Sequence, residues 1–212
     1  MTRLLLVRHG ESTWNLTGRY QGRIDTELSD RGVEQAARAA ACLSHVAFDV
    51  VYSSPLRRAF HTALSIALAK GFDVRIDDDL IEIDHGAWNG LLRDEVEKRY
   101  GPLFEMWLQT PSRVRMPGGE SLGDVAERVK RVLTRLAAAH PDSNVVVCSH
   151  DAVLKAAVAI VTGMNMDNFW TIRLDNASVT TIELGDGFSR LITLNDVCHL
   201  GGLCSDVSEQ AL

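Results

Sequence analysis

Residues 3–9 read RLLLVRH, and residues 144–150 read NVVVCSH. Both are unbroken apolar runs that end abruptly in polar residues and a histidine. A strand with one wet face alternates apolar and polar residues, whereas a strand covered on both faces reads as a continuous apolar run. FDVVY at 48–52 has the same character. Helical patterns separate these runs. The alternation of strand and helix predicts an α/β fold, a three-layer αβα sandwich with a mostly parallel central sheet.

The helices are legible from their caps and spacing. After Ser29, a capping residue type, Val33, Ala36, Ala37, Ala40 and Leu43 recur at helical intervals. In SSPLRRAFHTALSIALA (53–69), Ser54 is the expected cap and Pro55 suits the first turn. Leu56, Ala59, Phe60, Ala63 and Ala67 form the expected inward stripe. Residues 120–140 carry the clearest pattern, with Ser121 and Asp124 resembling a capping box and Leu122, Val125, Val129, Val132, Leu133 and Leu136 on one face. DAVLKAAVAIVTG is a more uniformly apolar helix closed by Gly163. Gly185-Asp186-Gly187 separates two strands as a hairpin. The aromatic, Pro- and Gly-rich stretch 86–119 is expected as a small helical insertion over one end of the sheet. The whole chain, 1–212, is expected to form a single domain.

Composition narrows the function. The chain has 212 residues, 46% hydrophobic and 24% charged, with a net charge of −6. That acidic balance argues against generic nucleic-acid binding. No apolar run approaches the roughly 20 residues of a membrane-spanning helix, and the N-terminus does not read as a signal peptide. Cys42, Cys148, Cys198 and Cys204 form no C-x-x-C pair. Reduced thiols and a cytoplasmic location are expected.

The chemistry lies at the strand ends. Arg8 and His9 follow one apolar strand, Ser149 and His150 follow another, and Arg57 and Arg58 open the helix after a third. In open α/β sheets ligands bind beyond the carboxyl ends of the strands. If these strands are neighbours, two histidines meet arginines in one anion pocket, because the planar guanidinium fork grips phosphate by paired charge-assisted hydrogen bonds. Rival chemistries fit less well. GESLG at 119–123 matches a serine-hydrolase elbow, but VRMPG is a poor preceding strand and Ser121 is explained as a cap. A cysteine phosphatase needs an arginine six positions after its cysteine. Cys42, Cys148 and Cys204 have Phe48, Leu154 and Gln210 there. Asp79 lacks the pattern of an aspartate phosphatase, and Cys198, His199 and Cys204 lack zinc-site spacing.

LLLVRHGESTWN (4–15), YSSPLRRAFHTA (52–63), IEIDHGAWNG (81–90) and VVVCSHDAVLKA (145–156) together resemble the motifs of the histidine phosphatase superfamily, with its phosphoglycerate-mutase-like fold. Arg-His-Gly alone is weak; four motifs in order are strong. The resemblance runs from residue 3 to about 200 and implies a phosphohistidine mechanism. It casts His9 as nucleophile and Arg8, Arg58 and His150 as holders of the phosphate oxygens. Arg58 is chosen over Arg57 because it directly precedes Ala59, as in the family pattern. Glu82, four residues before Gly86, would serve as acid and then base. Asn15 would contact the phosphate, with Gln21 and Gly22 at the entrance. No metal and no other cofactor is implied.

The mutase-type loop RFTGW is RYQGR here (19–23), which tilts the expectation toward a phosphatase. GRYQGRIDTELSDRG, MPGGESL, FWTIRLDNASVTTIEL and LNDVCHLGG resemble more narrowly the bacterial metal-independent phosphoserine phosphatases. That likeness implies O-phospho-L-serine as first substrate, a role in serine biosynthesis, and His85 and His199 as specificity residues. Alternatives are a phosphoglycerate mutase, a phosphatase of α-ribazole phosphate or sugar phosphates, and a non-enzymatic phosphoprotein-binding module. The partner is a small phosphate ester, with neither nucleic acid nor membrane. The hairpin and Phe169-Trp170 suit a homodimer. Asp151 departs from the pattern: an anion beside a phosphate must turn away or meet an ammonium group.

Overall fold

The computed structural model describes residues 1–206 and 210. Its sheet is built from β1 (Thr2–Arg8), β2 (Val50–Ser53), β3 (Val74–Ile76), β4 (Asn144–Ser149), β5 (Val179–Gly185) and β6 (Phe188–Asp196). The six strands lie in the order β3-β2-β4-β1-β5-β6. β3, β2, β4 and β1 run parallel. The β5–β6 hairpin closes one edge antiparallel, so the sheet is mixed.

Alternation along the central strands explains the continuous apolar runs. Leu4 and Leu6 of β1 and Val145 and Val147 of β4 join one buried cluster. Leu5 and Val7, Val146 and Cys148 join another. Helices α4 (Leu122–Ala139) and α5 (Asp151–Thr162) supply the first cluster; α1 (Asp30–Ser44) and α2 (Arg57–Leu68) supply the second. Both faces are therefore dry, and each fully buried Leu or Val contributes on the order of 1.5–3 kcal/mol. The result is the expected three-layer arrangement.

The caps explain where helices begin and end. Ser29 accepts from Gly32 N at the start of α1. Ser121 and Asp124 form the capping box of α4, and Gly163 closes α5 in the left-handed conformation. Two expectations are corrected. The inward stripe of α1 is Gly32, Gln35, Ala36, Ala39, Ala40 and Leu43; Val33 is 58% exposed, and Ala37 also faces water. An apolar count cannot credit a buried Gln35, whose side chain accepts from Glu11 N and donates to the Leu203 carbonyl. On α2 the N-cap is Leu56, not Ser54, and Phe60 is only half-buried beside a stripe containing Arg58, Thr62 and Ile66.

Stretch 86–119 contains one longer helix, α3 (Arg93–Gln109), kinked at Tyr100 just before Pro102. Proline removes a helical N–H and its ring crowds the preceding turn. Val96, Phe104 and Trp107 of α3 are buried. The loop before it is fixed by Gly86, whose φ is +55° and whose Cβ, were there one, would meet the Pro117 carbonyl oxygen at 2.2 Å. Ala87 N donates to that same carbonyl, and Glu120 N donates to the Asp84 carbonyl, which pins residues 82–87 against 117–120. Among the described residues, no helix is long and apolar enough to cross a membrane.

Candidate active site

β4 lies between β1 and β2, so their carboxyl ends meet. His9 N donates to the Ser149 carbonyl at 3.0 Å, and Ser54 N donates to the Cys148 carbonyl at 3.0 Å. These bonds bring Arg8, His9, Ser54 and His150 together. The imidazole centroids of His9 and His150 are 5.1 Å apart. Gly10 follows at van der Waals range of α1: an added Cβ would lie 2.4 Å from the Gly32 carbonyl oxygen. Close approach rather than an unusual turn requires glycine there.

His9 is 3% exposed, and its Nδ1 lies 2.7 Å from the Gly10 carbonyl oxygen. A carbonyl only accepts, so Nδ1 carries the proton and Nε2 keeps its lone pair. Burial, then Arg58 and Arg8, hold the His9 pKa well below 6.5, so the ring is neutral. His150 is the N-cap of α5 and its Nε2 pairs with Ser54 Oγ at 2.7 Å. Burial and the nearby Arg58 hold it neutral as well.

Arg8 and Arg58 are each 1% exposed. Arg8 donates to the Leu174 carbonyl at 2.5 Å and to Gln210 Oε1 at 2.6 Å. Arg58 donates to the carbonyls of Ile24 and Gly22 at 2.9 and 2.8 Å. Burial pulls the Arg58 pKa down to about 10, which leaves it charged at neutral pH. Arg8 Nε, Arg58 Nε and His150 Nδ1 are buried with no hydrogen-bond partner among the described residues. A buried donor without an acceptor costs about 1–3 kcal/mol. Arg57, by contrast, is exposed and pairs with Asp25 and Glu27.

Glu82 is 6% exposed and accepts from Ile83 N at 2.8 Å. Burial pushes its pKa to about 7, helped by Asp151 and opposed by Arg58 and Arg128. His85 is buried, held at a pKa of about 4 by burial, and packs edge-on against Tyr20 at 4.9 Å. Asn15 Oδ1 accepts from Ser12 N, and its Nδ2 donates to Gln210 Oε1 at 3.0 Å. Gln21 accepts from Ser12 Oγ and Thr26 Oγ, while Gly22 presents its carbonyl to Arg58.

Asp151 opens α5 and is 1% exposed. It does not turn away into solvent. Lys155 Nζ lies 2.8 Å from Oδ2 and Arg8 Nη1 3.8 Å from Oδ1. Lys155 is itself buried under the Phe169 and Trp170 rings, 4.5 and 5.2 Å from their centroids. The anion that looked anomalous in sequence thus has its cation one helical turn on. His199 is joined to the site indirectly: its Nε2 bonds the Ala177 carbonyl, and Ala177 N donates to the carbonyls of Arg8 and His9.

A model of the histidine phosphatase superfamily (branch 1) matches residues 4–197. The chain belongs to this superfamily. Phosphoserine phosphatase 1 of Hydrogenobacter thermophilus is 44% identical over 201 residues, covering 95% of each chain. The adenosylcobalamin/α-ribazole phosphatase of Escherichia coli is 32% identical over 193 residues, covering 91% of this chain and 95% of its own. A phosphoserine phosphatase mutant from Entamoeba histolytica, solved with phosphoserine, superposes with a TM-score of 0.86 at 30% identity, covering 94% of this chain and all of the other. The chain is a histidine phosphatase, which removes the non-enzymatic binding module from consideration. Four polar groups around this histidine phosphatase's pocket were not read from sequence as site residues: Ser54, expected only as a helix cap, and Lys155, Asn176 and Gln210. Asn176 Nδ2 donates to the His9 carbonyl at 3.2 Å. Only Lys155 had a readable signal, its i,i+4 spacing from Asp151.

Proposed function

We propose that this phosphatase hydrolyses a small phosphomonoester, O-phospho-L-serine first, through a phosphohistidine on His9 and without a metal. One observation carries the reading. Two buried guanidinium donors, Arg8 Nε and Arg58 Nε, and His150 Nδ1, the protonated ring nitrogen when Ser54 Oγ donates to Nε2, lack partners among the described residues, around a neutral imidazole whose Nε2 lone pair has no partner among those residues either. A phosphoryl group supplies oxygens for those donors and phosphorus for that lone pair.

In the first step His9 Nε2 attacks phosphorus and the P–O bond to the alcohol breaks. Arg8, Arg58 and His150 hold the equatorial oxygens as charge spreads over them. Asn15 adds a further donor. With a pKa of about 7, Glu82 is partly protonated near neutrality and gives its proton to the departing oxygen. In the second step the Glu82 carboxylate takes a proton from water. The resulting oxygen attacks phosphorus, the P–N bond breaks, and His9 is returned. A pKa near neutrality suits a group that must work in both states.

The substrate choice draws on the Hydrogenobacter relative and the Entamoeba complex. His85 supports it: neutral and buried, it keeps Nδ1 without a partner among the described residues, beside the loop that carries Glu82. Gln21 and Gly22 shape the entrance through their bonds to Thr26 and Arg58. Asp151 is read as internally neutralised by Lys155, and His199 as bracing the backbone of His9 through Ala177.

The test is a turnover assay in EDTA over phosphoserine, 3-phosphoglycerate, α-ribazole phosphate and sugar phosphates. The expected result is metal-free hydrolysis with the highest kcat/KM for phosphoserine. Activity abolished by EDTA and restored by a divalent ion sinks the mechanism. Failure on phosphoserine with turnover of another ester sinks only the substrate.

A further inference from the structure

Gln210 returns from the C-terminal end of the chain to the residues proposed to grip phosphate. Its carboxamide oxygen accepts from Arg8 Nη2 at 2.6 Å and from Asn15 Nδ2 at 3.0 Å. Its amide nitrogen donates to Asn176 Oδ1 at 2.7 Å. The side chain is buried, with the residue 6% exposed. A carbonyl oxygen held between a guanidinium and an amide N–H occupies donors of the kind that a phosphate oxygen needs.

Residues 203–205, earlier in the same tail, hold contacts of their own. Ser205 Oγ donates to Glu11 Oε2 at 2.6 Å, and Gln35 Nε2 donates to Ser205 Oγ and to the Leu203 carbonyl. Glu11 is buried on the loop between His9 and Asn15 and also accepts from Ser29 Oγ. Residues 203–205 are therefore fastened to the loop that carries the phosphate-binding candidates. This keeps Gln210 at high effective concentration near Arg8.

We propose that Gln210 is a tethered competitor: its carboxamide takes the oxyanion place on Arg8 and Asn15, and a phosphate ester must displace it to bind. The proposal rests on the reading of Arg8 and Asn15 as phosphate ligands. Displacement is favourable because a dianion exchanges one neutral acceptor for several charge-assisted bonds, including those from Arg58 and His150. It is not free. The apparent dissociation constant rises by the reciprocal of the fraction of molecules with the place clear. Gln210 thereby sets a threshold that weakly bound anions fail and a well-matched substrate passes.

The experiment compares the full-length chain with Gln210→Ala and Gln210→Glu. KM is measured with p-nitrophenyl phosphate and Kd with orthovanadate by calorimetry, with melting curves to confirm folding. Gln210→Ala is expected to lower KM and the vanadate Kd together by roughly tenfold, with kcat kept or raised. Gln210→Glu, placing a carboxylate on Arg8, is expected to raise both. Unchanged values in folded Gln210→Ala, or a rise in KM and Kd, overturn the proposal and make Gln210 a support for Arg8 and Asn15. If the unaltered chain neither hydrolyses p-nitrophenyl phosphate nor binds vanadate, the phosphate-site reading has failed instead. Should Gln210→Ala not fold, the opposite shift in Gln210→Glu still decides: no rise in KM or Kd overturns the proposal.

Discussion

Ser54 Oγ lies 2.7 Å from His150 Nε2, across the join between β2 and β4. The same oxygen accepts weakly from Leu56 N at 3.3 Å. If the hydroxyl donates to Nε2, His150 carries its proton on Nδ1, the atom without a partner among the described residues. Ser54 then fixes the tautomer that presents an N–H toward the proposed phosphate place.

The first prediction concerns that pair. Ser54→Ala removes the orienting bond to His150 Nε2. The loss of about 1–1.5 kcal/mol of orientation corresponds to roughly a tenfold fall in kcat/KM. Ser54→Thr, which keeps the hydroxyl, restores most of it. Equal activity in Ser54→Ala and the unaltered enzyme, across pH 5–9, would show that His150 needs no such partner.

A second prediction follows from Glu82 and its pKa of about 7. Protonation of a serine-like leaving oxygen needs the acid form, so the rate of P–O cleavage falls as pH rises past about 7. An aryl leaving group, itself a weak base, needs no proton, and its basic limb flattens. Glu82→Gln should lose alkyl ester hydrolysis by on the order of 100-fold or more. Its first turnover of p-nitrophenyl phosphate should be far less affected. Rapid-quench kinetics on both esters check this; an equal loss on both rules out Glu82 as the acid.

Much of this arrangement can be read along the chain, and the unread parts share a cause. β1 and β4 are unbroken apolar runs because each buries both faces, and the Ser121–Asp124 box marks the start of α4 from sequence alone. The two histidines follow because they end those strands. Ser54 is harder, since Ser-Ser-Pro before a helix carries the signature of a cap, and only the β2–β4 pairing turns its hydroxyl to His150. Val33 misleads because it keeps helical spacing on the wrong side of a stripe that contains Gly32 and Gln35. Gln210 carries no local signal: its meaning depends on contact with Arg8, 202 positions away.

The buried Asp151–Lys155 pair yields a third prediction. Removing one partner leaves the other buried charge with weaker compensation, Arg8 at 3.8 Å for Asp151 and the Phe169 and Trp170 rings for Lys155, at a cost of up to about 3–5 kcal/mol. Lys155→Met should therefore destabilise strongly, and Asp151→Asn likewise, since Arg8 would then sit beside a Lys155 without its carboxylate. The double variant Asp151→Asn with Lys155→Met should recover most of the loss. Urea unfolding of the four proteins gives the coupling directly. Additive losses would mean that the two side chains act independently.

Stability should also depend on pH through the buried imidazoles. His9, His150 and His85 all have folded-state values below 6.5, the last about 4. Below 6.5 the unfolded chain takes up protons that the folded chain refuses, so each contributes stability that is lost as pH falls. Glu82 works the other way: raised from 4.5 to about 7, it favours the folded state at low pH and that contribution is lost as pH rises through this window. Between about 4.5 and 6.5, Glu82 and one of these three histidines roughly cancel and two remain, joined in the same direction by His140 and His199, whose values burial also lowers. Each unbalanced proton is worth about 1.4 kcal/mol per pH unit. The unfolding free energy should drop from pH 6.5 to 5, and His85→Phe should flatten that drop. A flat or rising stability over the same range would contradict neutral burial of these rings.

The last prediction tests the nucleophile. In His9→Ala the free Nε2 is gone, but Arg8, Arg58 and His150 keep their own anchors, in Leu174, Gly22, Ile24 and Ser54. Binding and chemistry should therefore separate. Turnover of phosphoserine should fall below detection, while phosphoserine still binds within roughly tenfold of its normal affinity, because the oxygen-holding groups remain. Brief quenching of the unaltered enzyme with labelled substrate should trap an acid-labile, base-stable phosphoryl group on one peptide, residues 4–15. His9→Ala should trap none. The variant should also resist acid unfolding better than its parent, since one buried imidazole no longer has to be kept neutral. Near-normal hydrolysis in His9→Ala, or a phosphoryl group trapped on another histidine, would move the chemistry away from His9 altogether.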